Sequence, residues 1–105
     1  MNTKNLAETL GKLVGNTESL GQILRSIRLC DELSLKEFAE ILNISVSYLS
    51  DIEHGRKLVS ARKAYEYAEK LSYPVEEFIR LALQDEANSF IVAKGQHVDV
   101  LLRIS

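Results

Sequence analysis

The chain has 105 residues, 46% of them hydrophobic, which suffices for one modest core and not for two. Its 13 Lys and Arg against 15 Asp and Glu leave a net charge of -2, which argues against a generic polyanion binder, because counterion-release binding needs a basic excess. No apolar run long enough to span a membrane and no signal-peptide pattern from Met1 to Lys12 occurs, and the single cysteine, Cys30, has no partner for an internal disulfide, so a reduced, cytoplasmic chain is expected.

Residues 1–18 read as a short helical extension bearing Leu6, Leu10, Leu13 and Val14, broken at Gly15, Asn16 and Thr17. The next start signals are capping boxes. Ser19 with Gln22, and Ser34 with Glu37, place a hydroxyl and an amide or carboxylate three residues apart, so each satisfies the other's backbone N–H. One helix therefore runs from Ser19 to about Cys30 with Leu20, Ile23, Leu24 and Ile27 on its apolar face. A second carries Leu35, Phe38, Ala39, Ile41 and Leu42 and stops at Asn43, which tolerates the left-handed conformation of a helix end. Cys30 is expected to pack as a small residue near the end of the first helix.

Two residues later Ser45 can cap a third helix, with Val46, Leu49 and Ile52 as its core stripe and Gly55 just past its end. A fourth starts at the Ser60 cap and presents Ala64, Tyr65, Tyr67, Ala68 and Leu71. A fifth starts at Pro74 and presents Phe78, Leu81 and Ala82, with Ile79 and Leu83 beside them. After Asn88 the period changes: Val98, Val100, Leu102 and Ile104 alternate with His97, Asp99, Leu101 and Arg103, a strand signature that Lys94, Gly95 and Gln96 can turn back on Phe90 to Ala93. The expected architecture is all-α, with five helices over residues 19–88, the extension of residues 1–18 before them and a β-strand or hairpin over residues 89–105 after them.

Charge is segregated along the chain. Arg56, Lys57, Arg62 and Lys63 fall within eight residues that contain no acid, and Glu66, Glu69, Glu76, Glu77, Asp85 and Glu86 follow. His54 and His97 lie far apart and Cys30 has no neighbour at ligand spacing, so no metal and no cofactor are expected. With no phosphate-binding glycine loop, nucleophile elbow or paired carboxylates, no enzymatic activity is assigned.

The run from Ser34 to Arg56, SLKEFAEILNISVSYLSDIEHGR, carries a small residue at Ala39, a turn at Asn43 and aliphatics at Leu49 and Ile52. This pattern resembles the Cro/C1 repressor type of helix-turn-helix, the Xre family, across roughly Leu20 to Leu83. The resemblance implies a lambda-repressor-like domain in which the helix from Ser45 to His54 lies in the major groove of double-stranded DNA. Ser45, Val46, Ser47, Tyr48 and Asp51 then fall at base edges, Val46 toward a thymine methyl. Asp51 accepts from cytosine N4 or, alternatively, repels wrong sites as an exposed acid. Ser34, Lys36, Arg56, Lys57, Arg62 and Lys63 are the phosphate contacts. The resemblance also implies a structural pair between Arg28 and Glu53, with a solvated or phosphate-bound Arg28 as the alternative. Regulators of this type act as dimers, and pairing of Val98, Val100, Leu102 and Ile104 with the same strand of a second copy is the expected contact; a hairpin within the chain is the alternative. Small Xre regulators include antitoxins, so a toxin or other protein partner is a further implication, and no membrane is involved.

Overall fold

The structure is a computed structural model that describes residues 18–94. Among them are five helices: α1 (Leu20–Cys30), α2 (Leu35–Leu42), α3 (Val46–Glu53), α4 (Ala61–Leu71) and α5 (Val75–Lys94). The extension bearing Leu6 and Leu10 and the alternating residues Val98 to Ile104 lie outside the described residues.

The helix starts follow their caps. The Ser19 and Ser34 boxes both close reciprocally, and the Ser45 and Ser60 hydroxyls accept from Tyr48 and Lys63 N–H. α5 begins one residue beyond Pro74, whose carbonyl accepts from Phe78 N–H. The ends share a device that the sequence announces only twice. After each of α1 to α4 one residue turns left-handed, namely Glu32, Asn43, Gly55 and Ser72. The next N–H then reaches back five residues: Leu33 to Arg28, Ile44 to Ala39, Arg56 to Asp51 and Tyr73 to Ala68.

Leu20, Leu24 and Ile27 of α1, Phe38, Ala39 and Leu42 of α2, Leu49 and Ile52 of α3, Tyr67 and its alanine neighbours of α4, and Phe78, Leu81 and Ala82 of α5 form one buried core with Val59. α4 and α5 pack most extensively against each other, and α1 and α2 reach them across the core. Several expected core residues instead face solvent. Ile41, Tyr65 and Leu83 are about half exposed. Val46 is too, because steps of three residues rotate a helical stripe backward by about 60° each, which carries Val46 away from the Leu49 and Ile52 side. Cys30, expected to pack, is exposed together with Leu29, since the last turn of α1 overruns the core.

The C-terminal hairpin is corrected by α5. Phe90 to Ala93, its expected first arm, are helical, and α5 reaches Lys94. A nucleated helix gains one hydrogen bond per added residue, and no Gly or Pro interrupts the chain between Val75 and Lys94. The β-branched Ile91 and Val92 lower helix propensity too little to stop it.

Candidate nucleic-acid interface

α2 and α3 are joined by a tight turn in which Asn43 takes φ 59° and Ile44 N–H returns to the Ala39 carbonyl. Ala39 is buried at the crossing, with Leu49 and Ile52 fully buried across from it. A second close approach was missed in the sequence. Gly21 lies directly on the α3 backbone, where a methyl group would collide with the Ile52 carbonyl oxygen. A glycine inside an otherwise strong helix was the available signal, since it weakens the helix and calls for a packing reason.

Arg28 locks α1 to the end of α3. Its Nε and Nη2 donate to Glu53 at 2.8 and 3.0 Å in a two-pronged pair, and Nη1 donates to the Leu33 carbonyl at 3.1 Å. The hydrogen bond to Glu53 raises the Arg28 pKa against the opposing effect of burial. The Glu53 side chain is 1% exposed, so α3 is held by a buried, fully bonded charge pair rather than by apolar contact alone.

α3 turns its first residues outward. Ser45, Val46 and Ser47 are exposed, and Tyr48 and Asp51 are half-buried. Capping engages a lone pair of the Ser45 and Ser34 hydroxyls and leaves each O–H as a donor. Ser34 and Lys36 occupy the exposed first turn of α2.

The basic run does not stay free of acid in three dimensions. Arg56 Nε meets Asp51 Oδ1 at 2.7 Å, and Arg62 stands 3.9 Å from Glu66 on α4. Lys57 and Lys63, from the loop and from α4, converge instead on Tyr48 of α3, their ammonium groups 5.8 and 5.5 Å from its ring centre. These contacts, invisible in the linear sequence, gather one aromatic and two cations beside the outward face of α3. The first turn of α4 adds to the positive field. It holds Arg62 and Lys63 and no acid, although a helix N-terminus already carries partial positive charge and is stabilised by anions.

Among the described residues no group of His, Cys, Asp and Glu could hold a metal ion, and no helix is long and apolar enough to cross a membrane. His54 folds back on α3, with Nδ1 2.8 Å from the Ser50 carbonyl.

Two short helices crossing at a small residue over a left-handed turn, the second with an exposed polar start flanked by cations, make a helix-turn-helix domain. The helix-turn-helix family model matches residues 24–78, just over half of the chain. The chain belongs to that family, the Cro/C1 or Xre type of DNA-binding regulators. No curated protein and no solved structure matches it.

Proposed function

We propose that the protein is a transcriptional repressor that binds a palindromic operator as a homodimer, with Ser45, Val46, Ser47 and Tyr48 of α3 at base edges in the major groove. The observation that carries this reading is the convergence of Lys57 and Lys63 on Tyr48, beside the exposed start of α3. Cations at that edge attract phosphate while the serine hydroxyls and the Val46 methyls face the bases. Ser34, Lys36, Arg56 and Arg62 supply further backbone contacts. Two copies place their recognition helices about 34 Å apart, one turn of DNA. Leu83, 53% exposed on α5, is apolar surface for a second subunit to cover, and the alternation of Val98, Val100, Leu102 and Ile104 in the sequence marks the segment that would pair with its copy.

A protein-interaction module of antitoxin type is the second reading, and the ion pairs that offset Arg56 and Arg62 favour it. Selection from a random duplex pool at about 50–100 mM salt separates the two. An enriched inverted repeat is the expected result; a pool that stays random discards the operator reading. On the enriched duplex, Ser47→Ala and Tyr48→Ala shift base preference, whereas Arg56→Ala weakens every sequence alike and flattens the salt dependence.

A further inference from the structure

Asp51 stands on the outward side of the recognition helix, where a carboxylate invites assignment as a reader of cytosine. Its contacts point elsewhere. Its carbonyl accepts the backbone N–H groups of Arg56 at 2.8 Å and Lys57 at 3.3 Å, and its carboxylate accepts Arg56 Nε at 2.7 Å. The backbone half of this arrangement is the ordinary helix ending: α1, α2 and α4 close the same way from Arg28, Ala39 and Ala68, none of which contributes a carboxylate. The Asp51 side chain is therefore not needed to end α3. What it adds is a fixed direction for the guanidinium of the residue that follows the turn.

We propose that Asp51 is a positioning residue for the DNA backbone contact and not a base reader. This rests on the DNA-binding reading given above. Holding Arg56 through Nε leaves the Nη edge of the fork for a phosphate oxygen, on a side chain that is 57% exposed. The two backbone bonds fix the loop from which Lys57 reaches the Tyr48 ring, and the carboxylate adds the orientation of Arg56. The ion pair also removes the penalty of a bare carboxylate facing phosphate. The bonded oxygen of Asp51 faces the Arg56 guanidinium, so the contact it is placed to serve is the one that cation makes.

The test is fluorescence anisotropy on the duplex enriched by the wild-type protein and on its single-base-pair variants, with Asp51→Ala, Asp51→Asn, Arg56→Ala and the double variant Asp51→Ala/Arg56→Ala, all checked for native melting. In the Arg56 background Asp51→Ala weakens every duplex by one common factor, on the order of fivefold. In the Arg56→Ala background the same change tightens binding, because only the repulsive carboxylate is then lost. Asp51→Asn leaves the ranking of base pairs unchanged. A loss of discrimination at one base pair, or an equal effect of Asp51→Ala in both backgrounds, overturns this role while leaving the DNA reading intact. No binding by the wild type to any duplex overturns both.

Discussion

Gly21 of α1 lies against the backbone carbonyl of Ile52 in α3, closer than any residue with a side chain allows. The two helices touch main chain to main chain near the end of α3, and the Arg28–Glu53 pair fastens the same junction about two turns further along α1 and at the next residue of α3. The tilt of α3 is thus set by α1 as well as by the turn that joins it to α2.

Gly21→Ala is expected to destabilise the protein although local propensity predicts the reverse. Alanine is the better helix former by about 1 kcal/mol. Here its methyl meets a backbone oxygen that cannot swing aside, and overpacking of this kind costs about 1–3 kcal/mol beyond that gain. A melting temperature equal to or above that of the wild type would show that α1 and α3 separate freely at this point.

Removing Glu53 leaves the Arg28 guanidinium, 13% exposed, with the Leu33 carbonyl and no anion. Glu53→Ala should cost about 3–5 kcal/mol in urea unfolding with an unchanged m-value. Replacing both partners, as Arg28→Met with Glu53→Leu, should cost less than Glu53→Ala alone, because no charge is then stranded. A double variant less stable than the single one would mean that the pair itself, and not the stranded charge, supplies the stability.

Much of this fold could be read from the sequence because its signals are local. Four serine caps, Asn43 and Gly55 act on their own helices, and Ala39 is placed by its spacing from Leu49 and Ile52. What escaped depends on residues far apart in the chain or on conformations their side chains do not advertise. Asp85 reaches Leu20 across 65 positions, Lys63 finds Tyr48 only after α4 folds back, and Glu32 and Ser72 turn left-handed where glycine would be expected. The hairpin was misread because alternation after Asn88 suggested a partner strand, while the growing end of α5 already offered each backbone group a hydrogen bond.

Tyr67 is 2% exposed and its hydroxyl has no hydrogen-bond partner among the described residues. Burial, with lesser effects from Tyr48 and Glu66, pushes its pKa up to about 12. A phenol raised in the folded state gives stability that is complete below its unfolded value near 10 and is lost as pH rises toward 12. At pH 7, where that linkage has no effect, Tyr67→Phe should stabilise the protein by about 1 kcal/mol for a separate reason, the removal of a buried hydroxyl that has no partner among the described residues. It should also lose less stability than the wild type between pH 10 and 12. Identical alkaline unfolding curves for the two proteins would place the hydroxyl in contact with solvent.

Asp85 of α5 accepts the backbone N–H of Leu20 at 2.8 Å, completing the start of α1 beside the Ser19 and Gln22 capping box. Burial raises its pKa, and the Leu20 hydrogen bond only partly offsets this. Because the folded value lies above the unfolded one, the contribution of Asp85 to stability is complete below pH about 3.8 and declines as pH rises through the folded value. Asp85→Asn keeps an oxygen for Leu20 N–H and has no charge to bury. Its stability relative to the wild type should thus improve steadily from pH 3.5 to pH 6, measured by urea midpoints at fixed ionic strength. Asp85→Ala removes the acceptor as well and should lie below Asp85→Asn at every pH, by about 0.5–2 kcal/mol, the range for losing a helix cap. If the Asn variant instead loses ground to the wild type as pH rises, the carboxylate charge at the start of α1 outweighs its burial, and Asp85 anchors α5 as an anion attracted to the helix dipole.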